Sequence, residues 1–173
     1  EYNPAWPGLF AAQAERLRRA LGPAALRIDH IGSTAVPGLA AKPVIDVQIA
    51  VAALEPTESF RAPLEGLGHV FRSENDDRTQ RYFREAPGTR RTHIHVRRTG
   101  SFGEQLALLF RDYLRTYPEE AEGYARRKHA LATRYRDDRP GYVAAKQPYI
   151  WEMLARADDW SQATGWEPEP SDS

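Results

Sequence analysis

The sequence predicts an α+β fold, with a small mixed sheet in the first half of the chain and helices gathered in the second. Two observations lead there. Short runs with the two-residue period of strands occur only before residue 98, and from residue 103 onward the apolar positions recur at helical spacing. No internal repeat or low-complexity segment interrupts this division.

The elements follow in order. After Pro7-Gly8, Phe10, Ala14, Leu17 and Leu21 share one helical face, and Gly22-Pro23 ends the helix. Leu26, Ile28 and His30 alternate with Arg27 and Asp29 as a short strand. Gly32, Ser33 and Thr34 make a turn into a short small-residue helix, which Pro37-Gly38 ends. Residues 43–51 form the strongest strand. Residues 57–67 read as a helix closed by Gly68. Three further strands are expected over 69–72, 80–84 and 93–97, joined by the turn-rich segments SENDDRT and APGTRR. Helices are expected over 103–116, from Pro118 to about Arg136, and over 141–163, where Pro148 should kink the last one or mark its true start. The organisation is a single domain over 1–165 and a flexible tail over 166–173, whose acids, proline and serines carry no core pattern.

Composition narrows the function classes. The chain has 173 residues, enough for a substantial core. Lys plus Arg balance Asp plus Glu at 24 each, so no global field draws nucleic acid or an anionic membrane. No cysteine is present, which excludes disulfides, thiolate metal sites and thiol nucleophiles. No apolar run has the length of a membrane span and the start lacks the pattern of a signal peptide. Those features suit a cytoplasmic protein.

The strand 43–51 raises the first chemical question. Ile45, Val47, Ile49 and Val51 share one face, and Asp46 and Gln48 share the other. A carboxylate on a central strand is costly unless it is paired or holds a metal ion. The plain alternative is a wet end position, or a pair with Lys42 or an arginine. The turn upstream adds weight to chemistry. Gly32 permits close backbone approach, and the amides around Ser33 and Thr34 attract anions. If strands 26–30 and 43–51 are neighbours, Asp46 points into the same crevice, where a hard cation would bridge carboxylate and phosphate.

Residues 92–97, THIHVR, put His93 and His95 on one face. Two imidazoles one residue apart can chelate a transition metal, grip a phosphate or act as a base; they can equally be half-buried histidines bonded to neighbours. In 111–115, RDYLR, Arg111 and Arg115 share a helical face. This reads either as a solvated charged surface or as cations converging on an anionic substrate. The five arginines of 78–91 fit an ordinary strand and its turns better than a nucleic-acid surface. Trp6, Trp151 and Trp160 read as packing residues.

The chain resembles the GrpB family, a branch of the nucleotidyltransferase superfamily related to a domain fused to some dephospho-CoA kinases. The segments that carry the resemblance are YNPAWPGLF (2–10), HIGSTAVPGLAAKPVIDV (30–47), THIHV (92–96) and LLFRDYLR (108–115), with Tyr124, Lys128 and Lys146 at suitable distances. The resemblance implies a nucleotidyltransferase-like fold. It also implies phosphates over Gly32, Ser33 and Thr34, with Lys42, Arg111, Arg115, Tyr124, Lys128 and Lys146 around the nucleotide. Asp46 would hold Mg2+ (or Mn2+ or Zn2+), and His93 and His95 would complete the metal shell or take a proton. Active members of the superfamily have a second acid two residues after the first; Gln48 stands there in this chain.

Three functions follow as expectations. The first is transfer of a nucleotidyl group from ATP or another nucleoside triphosphate to a small-molecule hydroxyl or amine. The second is a non-catalytic module that binds a nucleotide or a coenzyme A-like ligand. The third is a metal-assisted small-molecule enzyme that reuses the cleft. The partners in each case are small molecules rather than nucleic acid or membrane.

Overall fold

The computed structural model describes residues 1–172. A five-stranded mixed sheet is formed by β1 (Arg27–Ile31), β2 (Ile45–Val51), β3 (His69–Phe71), β4 (Gln80–Glu85) and β5 (Thr92–Arg98) in the order β1-β2-β5-β4-β3. The central pair, β2 and β5, is parallel; every other neighbouring pair is antiparallel. Five helices accompany it: α1 (Trp6–Leu21), α2 (Glu58–Gly66), α3 (Phe102–Thr116), α4 (Pro118–Arg134) and α5 (Arg139–Thr164).

The alternation of β2 sorts the sheet into two faces. Ile45, Val47, Ile49 and Val51 are buried with Ile94 and Val96 of β5 against Trp6, Phe10, Ala14 and Leu17 of α1 and Phe60 and Leu64 of α2. This is the main core. A second core joins Leu109, Tyr113 and Leu114 of α3 to Tyr124 of α4, Met153 and Ala157 of α5, and Val36 and Leu39 of the segment between β1 and β2. The other sheet face, carrying Asp46 and Gln48, looks toward α3: Gln48 Nε2 donates to the Glu104 carbonyl at 3.2 Å.

Three expectations are modified. The small-residue helix after Gly32 is a single 3-10 turn over Ser33–Ala35. The last helix starts at Arg139 and passes through Pro148. Asp138 caps it by accepting from Gly141 N at 2.9 Å, and Pro140 sits in the first turn, where a missing N–H has no helical partner to lose. Trp151 is 50% exposed, whereas Trp6 is buried and Trp160 packs on the second core. The segment after α5 lies against β1. Trp166 Nε1 donates to Asp112 Oδ2 at 3.2 Å, and Asp172 Oδ2 accepts from His30 N at 2.8 Å. Ser173, the end of the expected tail, lies outside the described residues. Among the described residues no helix is long and apolar enough to cross a membrane.

Candidate functional site

Register places the chemistry. In the antiparallel ladder Ile31 stands opposite Asp46, so the Gly32 turn begins where the carboxylate sits. In the parallel ladder Asp46 is level with His93 and Gln48 with His95. All four side chains are therefore on one face. Gly32 adopts φ +71°, and a Cβ there would stand 2.7 Å from Asp46 Oδ2. The turn thus meets the acid through a residue that has no side chain to intervene, in a conformation glycine adopts without strain. The glycine-serine turn and the strand acid therefore meet on the same side of the sheet.

Asp46, His93 and His95 each offer one ligand atom, all within 4.8 Å of one another. His93 Nδ1 is 3.1 Å from Asp46 Oδ1 and His95 Nε2 is 3.6 Å from the same oxygen. Burial pushes the Asp46 carboxyl up, but the histidines facing it outweigh that effect and hold it down at about 2. It is a carboxylate throughout the physiological range. Among the described residues His93 Nε2, which is buried, has no hydrogen-bond partner. One carboxylate and two imidazoles, one of which has the orphaned ring nitrogen, fit a divalent ion with affinity for nitrogen donors. They fit a pair of magnesium ions poorly. Gln48 is fully buried, its amide nitrogen is bound to Glu104, and it brings no negative charge.

Cations line the other wall. Lys128 of α4 donates to Ser33 Oγ and to the Ala40 carbonyl, each at 2.9 Å. Burial, helped by the charge of Lys146, lowers its pKa to about 8. Lys146 of α5 is lowered too, by burial first, against an opposing pull from Asp46. Lys42 and Lys146 both stand over the Tyr142 ring, at 5.8 and 5.5 Å. Lys128 stands 4.8 Å from the centre of the Tyr124 ring, whose phenol burial pushes well up, so the hydroxyl stays protonated.

Not every expected residue faces this cleft. Thr34 is 2% exposed, and its hydroxyl donates to the Val44 carbonyl at 3.1 Å. That leaves its oxygen to accept from His30 Nε2 at 3.0 Å, so Thr34 braces the turn instead of contacting a ligand. His30, stacked on Phe10 at 4.6 Å, is held neutral mainly by burial, with its pKa lowered to about 4. Arg111 is also buried. Its guanidinium binds Asp112 Oδ1 at 2.7 Å, Asp172 Oδ2 at 2.8 Å and the His30 carbonyl at 3.2 Å, with Asp29 Oδ1 3.8 Å away. It ties α3 to β1 and has no surface to offer a phosphate. Arg115 donates to the Ala35 carbonyl at 2.9 Å and supports the turn from behind.

Three residues at the site escaped sequence reasoning. The Tyr82 ring lies 5.2 Å from that of His95 and 5.7 Å from that of His93. Gln80 Oε1 is 2.8 Å from His95 Nδ1. Tyr142 underlies two lysines. Tyr82 was legible in part, because β4 alternation puts Gln80 and Tyr82 on one face; Tyr142 carried no signal. A separate cavity of about 550 Å³, lined by Leu54, Arg97, Phe102 and Leu106 among others, lies at the opposite end of β5 and holds none of the candidate residues.

Comparison with known proteins gives the family and the fold. The model of the family described as GrpB protein matches residues 1–156. A UPF0157 protein of Pseudomonas aeruginosa is 46% identical over 160 residues, covering 90% of this chain and 65% of that protein. A dephospho-CoA kinase of Mycobacterium tuberculosis is 33% identical over 191 residues, covering 96% of this chain and 47% of the kinase. The chain therefore spans about half to two thirds of the length of these relatives. Among solved structures, the conserved protein GrpB from Enterococcus faecalis superposes with a TM-score of 0.82 at 35% identity, covering 91% of this chain and 94% of that one. Cid1 in complex with its short product ApU superposes with a TM-score of 0.57 at 15% identity, covering 84% and 48%. That likeness shows the fold, which is nucleotidyltransferase-like. The match across nearly the whole chain, together with the shared fold, shows that this protein belongs to the GrpB family.

Proposed function

We propose that the cleft binds a nucleoside triphosphate with one divalent ion, and that the chain transfers the nucleotidyl group to a small hydroxyl or amine acceptor. The observation that carries this reading is the meeting of the Gly32-Ser33 turn with Asp46, closed on the far side by Lys128. Ser33 Oγ and the Lys128 ammonium present hydrogen-bond donors to phosphate oxygens, and Lys146 and Lys42 add charge. Asp46, His93 and His95 hold the ion, which when bound neutralises phosphate charge and polarises the phosphorus. In the transfer the acceptor atom forms its bond to the α-phosphorus, the bond to the bridging oxygen breaks and pyrophosphate leaves. The acceptor's proton goes to solvent at the open side, where the three ion-facing side chains are 19–25% exposed. Likeness to Cid1, solved in one form bound to MgATP, supports the choice of nucleotide.

Gln48 favours a second reading. A neutral, locked amide at that position suits a cleft that binds a nucleotide, or a coenzyme A-like ligand as the names of the longer kinase relatives suggest, without turning it over. Calorimetry with ATP and Mn2+, followed by an assay for pyrophosphate release with a panel of acceptors, separates the two readings. Binding with release supports transfer, and binding without release supports the module.

The same calorimetry tests Lys128 through pH. Its ammonium is present below about pH 8 and lost above it. A triphosphate binds the ammonium, so affinity is highest below pH 8 and falls as pH rises through that value. The expected loss is about 10- to 100-fold by pH 10, the worth of one charge-assisted contact. Above pH 8 binding takes up a proton, visible as a dependence of the heat on buffer ionisation. Lys128→Met reduces both effects to the share carried by Lys146, whose pKa burial also lowers. A flat affinity between pH 7 and 10 would separate Lys128 from the phosphates.

A further inference from the structure

Gln80 has an amide whose orientation can be deduced. Its Nε2 donates to Asp77 Oδ2 at 2.8 Å, and a carboxylate only accepts. The opposite end is therefore the oxygen, and Arg97 Nη2, which only donates, approaches that atom at 3.5 Å. Gln80 Oε1 faces His95 Nδ1 at 2.8 Å. An amide oxygen only accepts, so Nδ1 carries the hydrogen. In neutral His95 the lone pair is then on Nε2, 3.6 Å from Asp46 Oδ1. A lone pair facing a carboxylate oxygen is repulsive unless a cation, either a proton on Nε2 or a metal ion, lies between them.

We infer that Gln80 is a positioning residue of the ion site: with Asp77 behind it, it holds His95 as the Nδ1–H tautomer and aims Nε2 at the ion shared with Asp46, so that the site selects a nitrogen-binding divalent ion such as Zn2+ or Mn2+ over Mg2+. The inference rests on the ion-binding reading above and assigns the ion class. Metal-bound imidazoles are commonly oriented in this way through their second nitrogen, and here an amide does it without adding charge. Asp77 is itself pinned by Thr79 N at 3.0 Å, so the relay from turn to ion site is Asp77, Gln80, His95.

Two readouts test this. In the metal-free protein, long-range proton–nitrogen NMR across a pH series, read where the ring is neutral, reports which ring nitrogen of His95 is protonated. Wild type should show Nδ1–H, and Gln80→Leu should shift the proton to Nε2. In calorimetry the wild type should bind Zn2+ and show no saturable Mg2+ binding at the same concentration, and Gln80→Leu should weaken Zn2+ by about 10- to 100-fold. The paired change Asp77→Asn with Gln80→Glu reverses the donor and acceptor between the two side chains and still offers an oxygen to Nδ1. It should restore both tautomer and Zn2+ affinity, even if Gln80→Leu proves unstable. Nε2–H in the wild type, or Zn2+ affinity unchanged by Gln80→Leu, would overturn the inference. A wild type that binds neither ion would overturn the ion-binding reading and the ion preference, and the tautomer would still decide the role of Gln80.

Discussion

Asp46→Ala is expected to abolish measurable divalent-ion binding and to lower the affinity for ATP in the presence of Mn2+ by at least about 100-fold, since outer partners of metal ligands are themselves worth 10- to 100-fold. The reason is the arrangement around one oxygen. Asp46 Oδ1 is the atom that both imidazoles approach, at 3.1 and 3.6 Å, and it supplies the only formal negative charge in the three-residue cluster. Removing it leaves two neutral nitrogens facing a basic wall that includes Lys146. The fold should survive. The Asp46 side chain is 25% exposed and stands on the face away from the main core, so the urea midpoint should fall only by the contribution of its pairing with the two histidines, which holds its carboxyl down. Calorimetry against wild type checks both halves. Equal ATP affinity in the two proteins would show that Asp46 does not hold the nucleotide's ion.

Arg111→Ala should act on stability instead. The Arg111 and Asp29 side chains are fully buried and Asp112 nearly so. Removing the shared cation leaves these acids short of charge in the interior, which costs about 3–5 kcal/mol when a buried pair loses one member. Asp29 keeps a two-point contact with Arg27 at 2.8 and 3.0 Å, so the lower half of that range is expected. The effect reads out as a fall in the urea midpoint at unchanged slope. Arg111→Lys keeps the charge but cannot reproduce the forked geometry, and should lose part of that stability while leaving ATP affinity in the folded protein unchanged. A stability loss under about 1 kcal/mol, the range of a surface pair, would mean that Arg111 is not the tie between α3 and β1.

Much of the fold was legible because the apolar period carries it. The alternation in 45–51 identified which residues of β2 face the core, and it set Asp46 and Gln48 apart from them. The two-residue spacing of His93 and His95 put both imidazoles on one face of β5. What the sequence does not display is the partner of each polar group. Thr34 and Arg111 look like ligand contacts because their types suit phosphate, yet His30 and Val44 engage one and three acids engage the other. Asp172 lies 61 residues from Arg111, and no local pattern announces that pair. Gln80 was read as the first residue of a strand, since its role depends on a turn aspartate and a histidine from the next strand. The last helix was expected from 141 and begins at Arg139, and the Asp138 cap excludes the competing start that Pro148 suggested.

The central claim is that the glycine-serine turn, the strand acid and the two histidines form one pocket for an ion and a polyphosphate. Anomalous diffraction from crystals soaked with Mn2+ and ATP tests it most directly. The expected map has a manganese peak in coordination contact with Asp46 and a histidine, and triphosphate density against Ser33 and Lys128. Triphosphate density elsewhere, or a cleft without manganese in which Asp46 keeps only its hydrogen bond to His93, would contradict it.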